Sequence, residues 1–85
     1  MATSNFIVTD ELKEATAISV MRYMLFSYAN KHKIDFVQAL IDFVQSETYE
    51  ALFDLETGIW KEGPNYLRDW YESELKAKHL QKQSF

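Results

Sequence analysis

Cysteine is absent from this 85-residue chain, which rules out disulfides and thiolate zinc sites as sources of stability. Basic charge is scarce: nine Lys and Arg stand against thirteen Asp and Glu, giving a net charge of −4 and a pI near 5.0. That balance works against a phosphate backbone, which needs clustered cations, and against anionic lipid. No apolar run approaches the roughly 18 residues of a membrane span. Nor does a basic patch followed by a short apolar stretch open the chain, as a secretory signal would. Nucleic acid and membrane are therefore not the expected partners, and the expected location is the cytoplasm. Glycine occurs twice and proline once, and strand-like alternation is lacking. An all-α fold is expected.

What the chain does have is apolar and aromatic. Hydrophobic residues make up 47% and aromatics 15%, too much for intrinsic disorder. The length allows one domain spanning residues 1–85, and a core of that size leaves a margin of only about 3–5 kcal/mol. With no disulfide or thiolate metal site to help, dense packing or association must supply the stability. Two readings fit the surplus of rings: an aromatic-rich core, or rings left outside for a partner.

Residues 1–8 read as an extended lead-in, with Phe6, Ile7 and Val8 tucking against the domain. Thr9 suits an N-cap, with Asp10 and Glu11 in the first turn where the helix dipole favours acids. A first helix is expected from there to about residue 30, with Lys31 and Lys33 at its electronegative end. Ala17, Ile18, Met21, Met24, Leu25 and Tyr28 form one apolar stripe at helical spacing. Leu12, Ala15, Tyr23 and Phe26 form another on roughly the opposite side. A helix apolar on two sides is either central to the fold or shared with a partner.

Asp35 and Gln38 have the spacing of a capping box, opening a second helix to about residue 45. Ser46 suits the cap of a short third helix to about residue 54, with Tyr49, Leu52 and Phe53 on one side. An irregular stretch follows, in which Gly58 suits a left-handed position and Ile59 and Trp60 pin the connector to the core. Pro64 suits the first turn of a fourth helix reaching about residue 80. Tyr66, Leu67, Trp70 and Tyr71 make its start strongly apolar. Glu74 and Lys78 then occupy the same stripe as an i,i+4 pair, so amphipathy lapses after about Ser73 and a polar, frayed tail is expected from residue 76. The expected architecture is a small bundle of about four helices, three long and one short.

Catalytic chemistry has few candidates. His32 and His79 have no second histidine at ligand spacing, and Asp54 and Glu56 flank a turn with no third oxygen ligand in a recognisable loop. No phosphate-binding glycine loop is present. A helix-turn-helix built from helices two and three would present Glu47, Glu50 and Asp54 to the groove, which repels phosphate. Neither an enzyme, a cofactor nor a bound metal is therefore expected. The expected role is protein contact, with Tyr23, Phe26, Trp60, Trp70 and Tyr71 as the partner-binding residues, since tryptophan and tyrosine anchor interfaces. The partner is another protein or a second copy in a homodimer. Two alternatives belong to other classes: a small DNA-binding regulator, and a small-molecule binder with a pocket lined by Met21, Met24 and Phe43.

One stretch carries a resemblance. Thr48-Tyr49-Glu50-Ala51-Leu52-Phe53-Asp54, then Glu56-Thr57-Gly58-Ile59-Trp60, then Tyr66-Leu67 resembles the C-terminal half of some small all-helical bacterial proteins of unknown function. Some of those are regarded as antitoxin-like and as encoded beside ADP-ribosyltransferase-like toxins. The resemblance covers about a third of the chain and implies an antitoxin-type or other partner-binding role; no catalytic residue comes with it.

Overall fold

Thr9 opens the first helix as its spacing predicts. Its Oγ1 accepts the Leu12 N–H at 3.1 Å, and Asp10 and Glu11 follow in the first turn of α1, Asp10–His32. The computed structural model describes residues 9–83, so the lead-in expected at residues 1–8 lies outside the described residues. Helix α1 stops two residues later than expected. Lys33 turns left-handed at φ 57° and its N–H bonds Ala29 O, while the Ile34 N–H reaches the same carbonyl at 3.0 Å. A left-handed non-glycine residue costs about 1 kcal/mol, here offset by the two bonds that close the helix.

Helix α2, Phe36–Phe43, begins without the capping box that Asp35 and Gln38 suggested. The Asp35 carboxylate caps nothing, and the Gln38 side chain, which would complete the box by accepting from the Asp35 N–H, instead donates to Asp42 Oδ1 at 2.9 Å, one turn ahead on the same exposed face. The helix also ends short of residue 45. Ser46 takes its place in the ladder: both its N–H and its Oγ–H bond Phe43 O, at 2.9 and 2.6 Å. The same buried Oγ accepts the Tyr49 N–H at 3.0 Å, so one hydroxyl closes α2 and caps α3, Glu47–Phe53.

Two single 3₁₀ turns, Leu55–Thr57 and Ile59–Lys61, carry the chain to α4. Between them Gly58 sits at φ 76°, a position that penalises any residue with a Cβ. Thr57 Oγ1 bonds Ala51 O at 2.8 Å and receives the Ile59 N–H at 3.2 Å. Ile59 is buried in the core, and half-buried Trp60 donates its indole N–H to Leu55 O at 3.0 Å. The connector is pinned as its two apolar residues predicted. Helix α4, Pro64–Gln83, starts on the proline and stays helical past the point where its amphipathy lapses.

Helix α1 is the central element. It packs against α2, α4 and the second 3₁₀ turn, burying Ala17, Val20, Met24, Leu25 and Ala29. Ile18, assigned to that stripe from its spacing, stands 44% exposed at the stripe's edge, and Val20 is the buried residue instead. Facing α1 are Ala39 and Phe43 of α2, Leu52 of α3, and Leu67 and Tyr71 of α4. Phe43 meets Tyr71 edge-on at 4.9 Å and Tyr49 edge-on at 5.9 Å, and Tyr71 meets Tyr28 at 5.3 Å. Edge-to-face contact sets the positive rim of one ring against the negative face of another. The result is a small all-α bundle of four helices, with no strand among the described residues.

Candidate protein-contact surfaces

The second apolar side of α1 stays open among the described residues. Tyr23 is 70% exposed and Phe26 58%. Phe26 does find one neighbour, the ring of Phe36 at the start of α2, stacked at 4.6 Å. Phe36 and Leu40 are partly buried against the core, and beside them Val37, Ile41 and Val44 recur at i, i+4 and i+7. These three are 56%, 47% and 41% exposed. The arrangement follows from the breadth of the apolar arc on α2. A short helix buries only about a third of its circumference against one neighbour, so Ala39 and Phe43 take the core and the remaining apolar residues spill outward. One apolar surface therefore runs from α1 over the Phe26–Phe36 stack onto α2.

A second surface lies between the start of α3 and one face of α4. It is a groove of about 570 Å³, lined by Glu47 and Thr48 on one side and by Tyr66, Asp69, Trp70, Ser73, Glu74, Ala77 and Lys78 on the other. Tyr66 and Trp70 sit one turn apart on its α4 wall with ring centres 6.5 Å apart, each 44% exposed. Its floor is Glu74. One carboxylate oxygen accepts the Thr48 N–H at 2.8 Å and the Thr48 Oγ–H at 2.6 Å, and the other accepts the Glu47 N–H at 2.9 Å and the Lys78 ammonium at 2.8 Å. A carboxylate from α4 thus caps α3, meeting the unpaired N–H groups and the positive end of its dipole together.

The electrostatics follow from these bonds. Burial pushes the Glu74 carboxyl upward, but the hydrogen bonds from Lys78, from the Thr48 hydroxyl and from two backbone N–H groups outweigh it and hold the group down at about 2, against an ordinary 4.5. A depressed folded-state value contributes stability that is complete above the unfolded value and is lost as pH falls. The window here is from about 4.5 down to 2, and the contribution is about 3 kcal/mol at 1.36 kcal/mol per pH unit. Urea titrations of the wild type and Glu74→Gln across that range provide the check. The gap between them is expected to close as the solution is acidified; a constant gap would show that the carboxylate charge is irrelevant. On the far side of α4, burial first and then the Tyr28 hydroxyl and nearby acids push Tyr71 up to about 12.

The five residues chosen from sequence separate in space. Tyr23 and Phe26 lie on the α1–α2 surface, and Trp70 lies in the α3–α4 groove. Trp60 is half-buried on the connector, with Lys13 5.8 Å above its ring. Tyr71 is 2% exposed and belongs to the aromatic core, which removes it from any contact surface; its place beside Leu67 on the inner stripe of α4 is the reason. Met24 and Phe43, two of the residues that the small-molecule alternative named, are likewise fully buried, and the third, Met21, packs against the same core. Val37, Ile41 and Val44 escaped selection because they shared an apolar face with true core residues. Among the described residues no group of three His, Asp or Glu side chains is placed to hold a metal, and no helix is long and apolar enough to cross a membrane. No protein family, curated protein or solved structure matches this chain.

Proposed function

We propose that this chain is a protein-binding module of the cytoplasm, acting by contact rather than catalysis, and that another protein chain covers the apolar surface of α1 and α2. The observation that carries this reading is the exposed set Tyr23, Phe26, Val37, Ile41 and Val44, continuous through the Phe26–Phe36 stack. Apolar residues grouped on one face, rather than scattered singly, mark interaction sites, and aromatic side chains are enriched in the centres of interfaces. The resemblance carried by Thr48 to Leu67 supports an antitoxin-type role, in which the covering chain is a toxin-like protein that this one neutralises. Nucleic acid fits less well, since α3 would bring Glu47 and Glu50 against phosphates.

Light scattering after size exclusion, combined with binding of an apolar-surface dye, tests the reading. The wild type is expected to bind the dye as a monomer or to form a dimer that hides the surface. Val37→Asp combined with Ile41→Asp is expected to reduce dye binding several-fold, or to dissociate the dimer, with an unchanged helical circular-dichroism spectrum. A wild type that is monomeric and binds no dye would remove the basis of the proposal.

A further inference from the structure

The groove between α3 and α4 has a chemistry the apolar surface of α1 and α2 lacks. Its exposed wall is aromatic, Tyr66 and Trp70, and its charged lining is predominantly acidic, with Glu47, Asp69 and Glu74 against Lys78 alone. Those charges are not equivalent. Glu74 and Lys78 are paired at 2.8 Å, and the remaining acceptor capacity of Glu74 is used by the start of α3. Glu47 and Asp69 are exposed carboxylates, and neither forms a salt bridge among the described residues. The groove therefore presents two exposed carboxylates beside an exposed indole, Glu47 also feeling the Lys78 charge, over a Glu74 carboxylate that is already satisfied.

We propose that this groove docks a basic anchor of a partner protein, an arginine side chain whose guanidinium lies against the Trp70 indole and between the carboxylates of Glu47 and Asp69. Arginine fits better than lysine on three counts. Its planar head stacks on an aromatic face, it is weakly hydrated, and its fork of N–H donors serves two carboxylates at once. An apolar anchor would leave both carboxylates beside a desolvated surface, and an acidic one would be repelled. Lys78 does not fill this role itself, because its exposed ammonium is paired with Glu74 at 2.8 Å. The inference goes beyond the contact surface on α1 and α2 and does not depend on what covers that face.

The probe is N-acetyl-arginine amide, titrated into the ¹⁵N-labelled protein, with N-acetyl-citrulline amide as its neutral isostere. The Trp70 indole N–H and the Glu47 amide are expected to shift progressively with arginine, at least tenfold more tightly than with citrulline. The Trp60 indole, outside the groove, should stay in place. Glu47→Gln combined with Asp69→Asn is expected to erase the difference between the two probes without altering the helical spectrum, because both side chains are exposed and neither carboxylate forms a salt bridge among the described residues. Equal shifts with citrulline would overturn the proposal, and so would arginine shifts no larger at Trp70 than at Trp60. Neither result would touch the apolar surface of α1 and α2, which is read by dye binding and light scattering.

Discussion

Replacing Phe43 by alanine should leave much of the protein unfolded at 25 °C. Phe43 is fully buried, and it is the ring that joins α2 to both Tyr49 and Tyr71. Truncating a buried phenylalanine to alanine costs about 3–5 kcal/mol, partly in lost transfer energy and partly in the cavity left behind. The whole stability of a chain this small is about the same size, so one such cavity is enough to empty the native state. Urea denaturation followed by circular dichroism reads this directly. Phe43→Leu, which keeps most of the volume, should cost under about 1.5 kcal/mol and preserve the transition. Ile41→Ala, on the exposed flank of the same helix, should cost under about 1 kcal/mol. If the alanine variants at 43 and 41 lost equal stability, the core would be centred elsewhere.

The contrast between positions 41 and 43 also shows where periodicity stops informing. Element order was legible throughout: Thr9, Ser46 and Pro64 mark the helix starts that they occupy, and Gly58 takes the left-handed turn that its lack of a Cβ suggested. These signals are local, because a cap or a turn is decided by residues within three or four positions. The Asp35–Gln38 box did not form: the Asp35 carboxylate caps nothing and the Gln38 amide bonds Asp42 on the next turn.

Which apolar residues face inward is not local. On α2 six of eight residues are apolar and cannot all be sorted by spacing, because the arc is broad and the direction of α1 decides which part is covered. On α1 two stripes were visible, and the outer one proved open among the described residues, with Tyr23 and Phe26 exposed. Tyr71 and Trp70 are adjacent in sequence and chemically alike as interface anchors. A rotation of 100° between them puts one in the core and the other in the groove. The groove itself was invisible for a further reason: it needs α3 and α4 side by side, residues 47 and 48 against residues 66–78, a contact that no pattern within either helix records.

Glu74 was the one sign of that contact in the sequence, a carboxylate set in an apolar stripe one turn after Tyr71, and its removal should be nearly as damaging as the loss of Phe43. In Glu74→Ala the buried Thr48 N–H and hydroxyl and the Glu47 N–H lose their acceptor together. A hydrogen bond to a charged group contributes about 1.5–3 kcal/mol, and an orphaned buried donor costs about 1–3 kcal/mol. Solvent will reach Glu47, which is exposed, so the expected total is about 3 kcal/mol, or a melting temperature lowered by roughly 15 °C for a domain of this size. Lys78→Ala serves as the control. Its ammonium is an exposed partner in an i,i+4 pair, where solvent screens the charge, so its loss should shift melting by only a few degrees. Thr48→Val separates the cap from the ion pair, because it removes one donor and leaves the two N–H groups bonded. Coupling between positions 48 and 74 in a double-mutant cycle should exceed that between 74 and 78. The reverse order would mean that Glu74 serves its neighbour on α4 and that α3 is held by Ser46 alone.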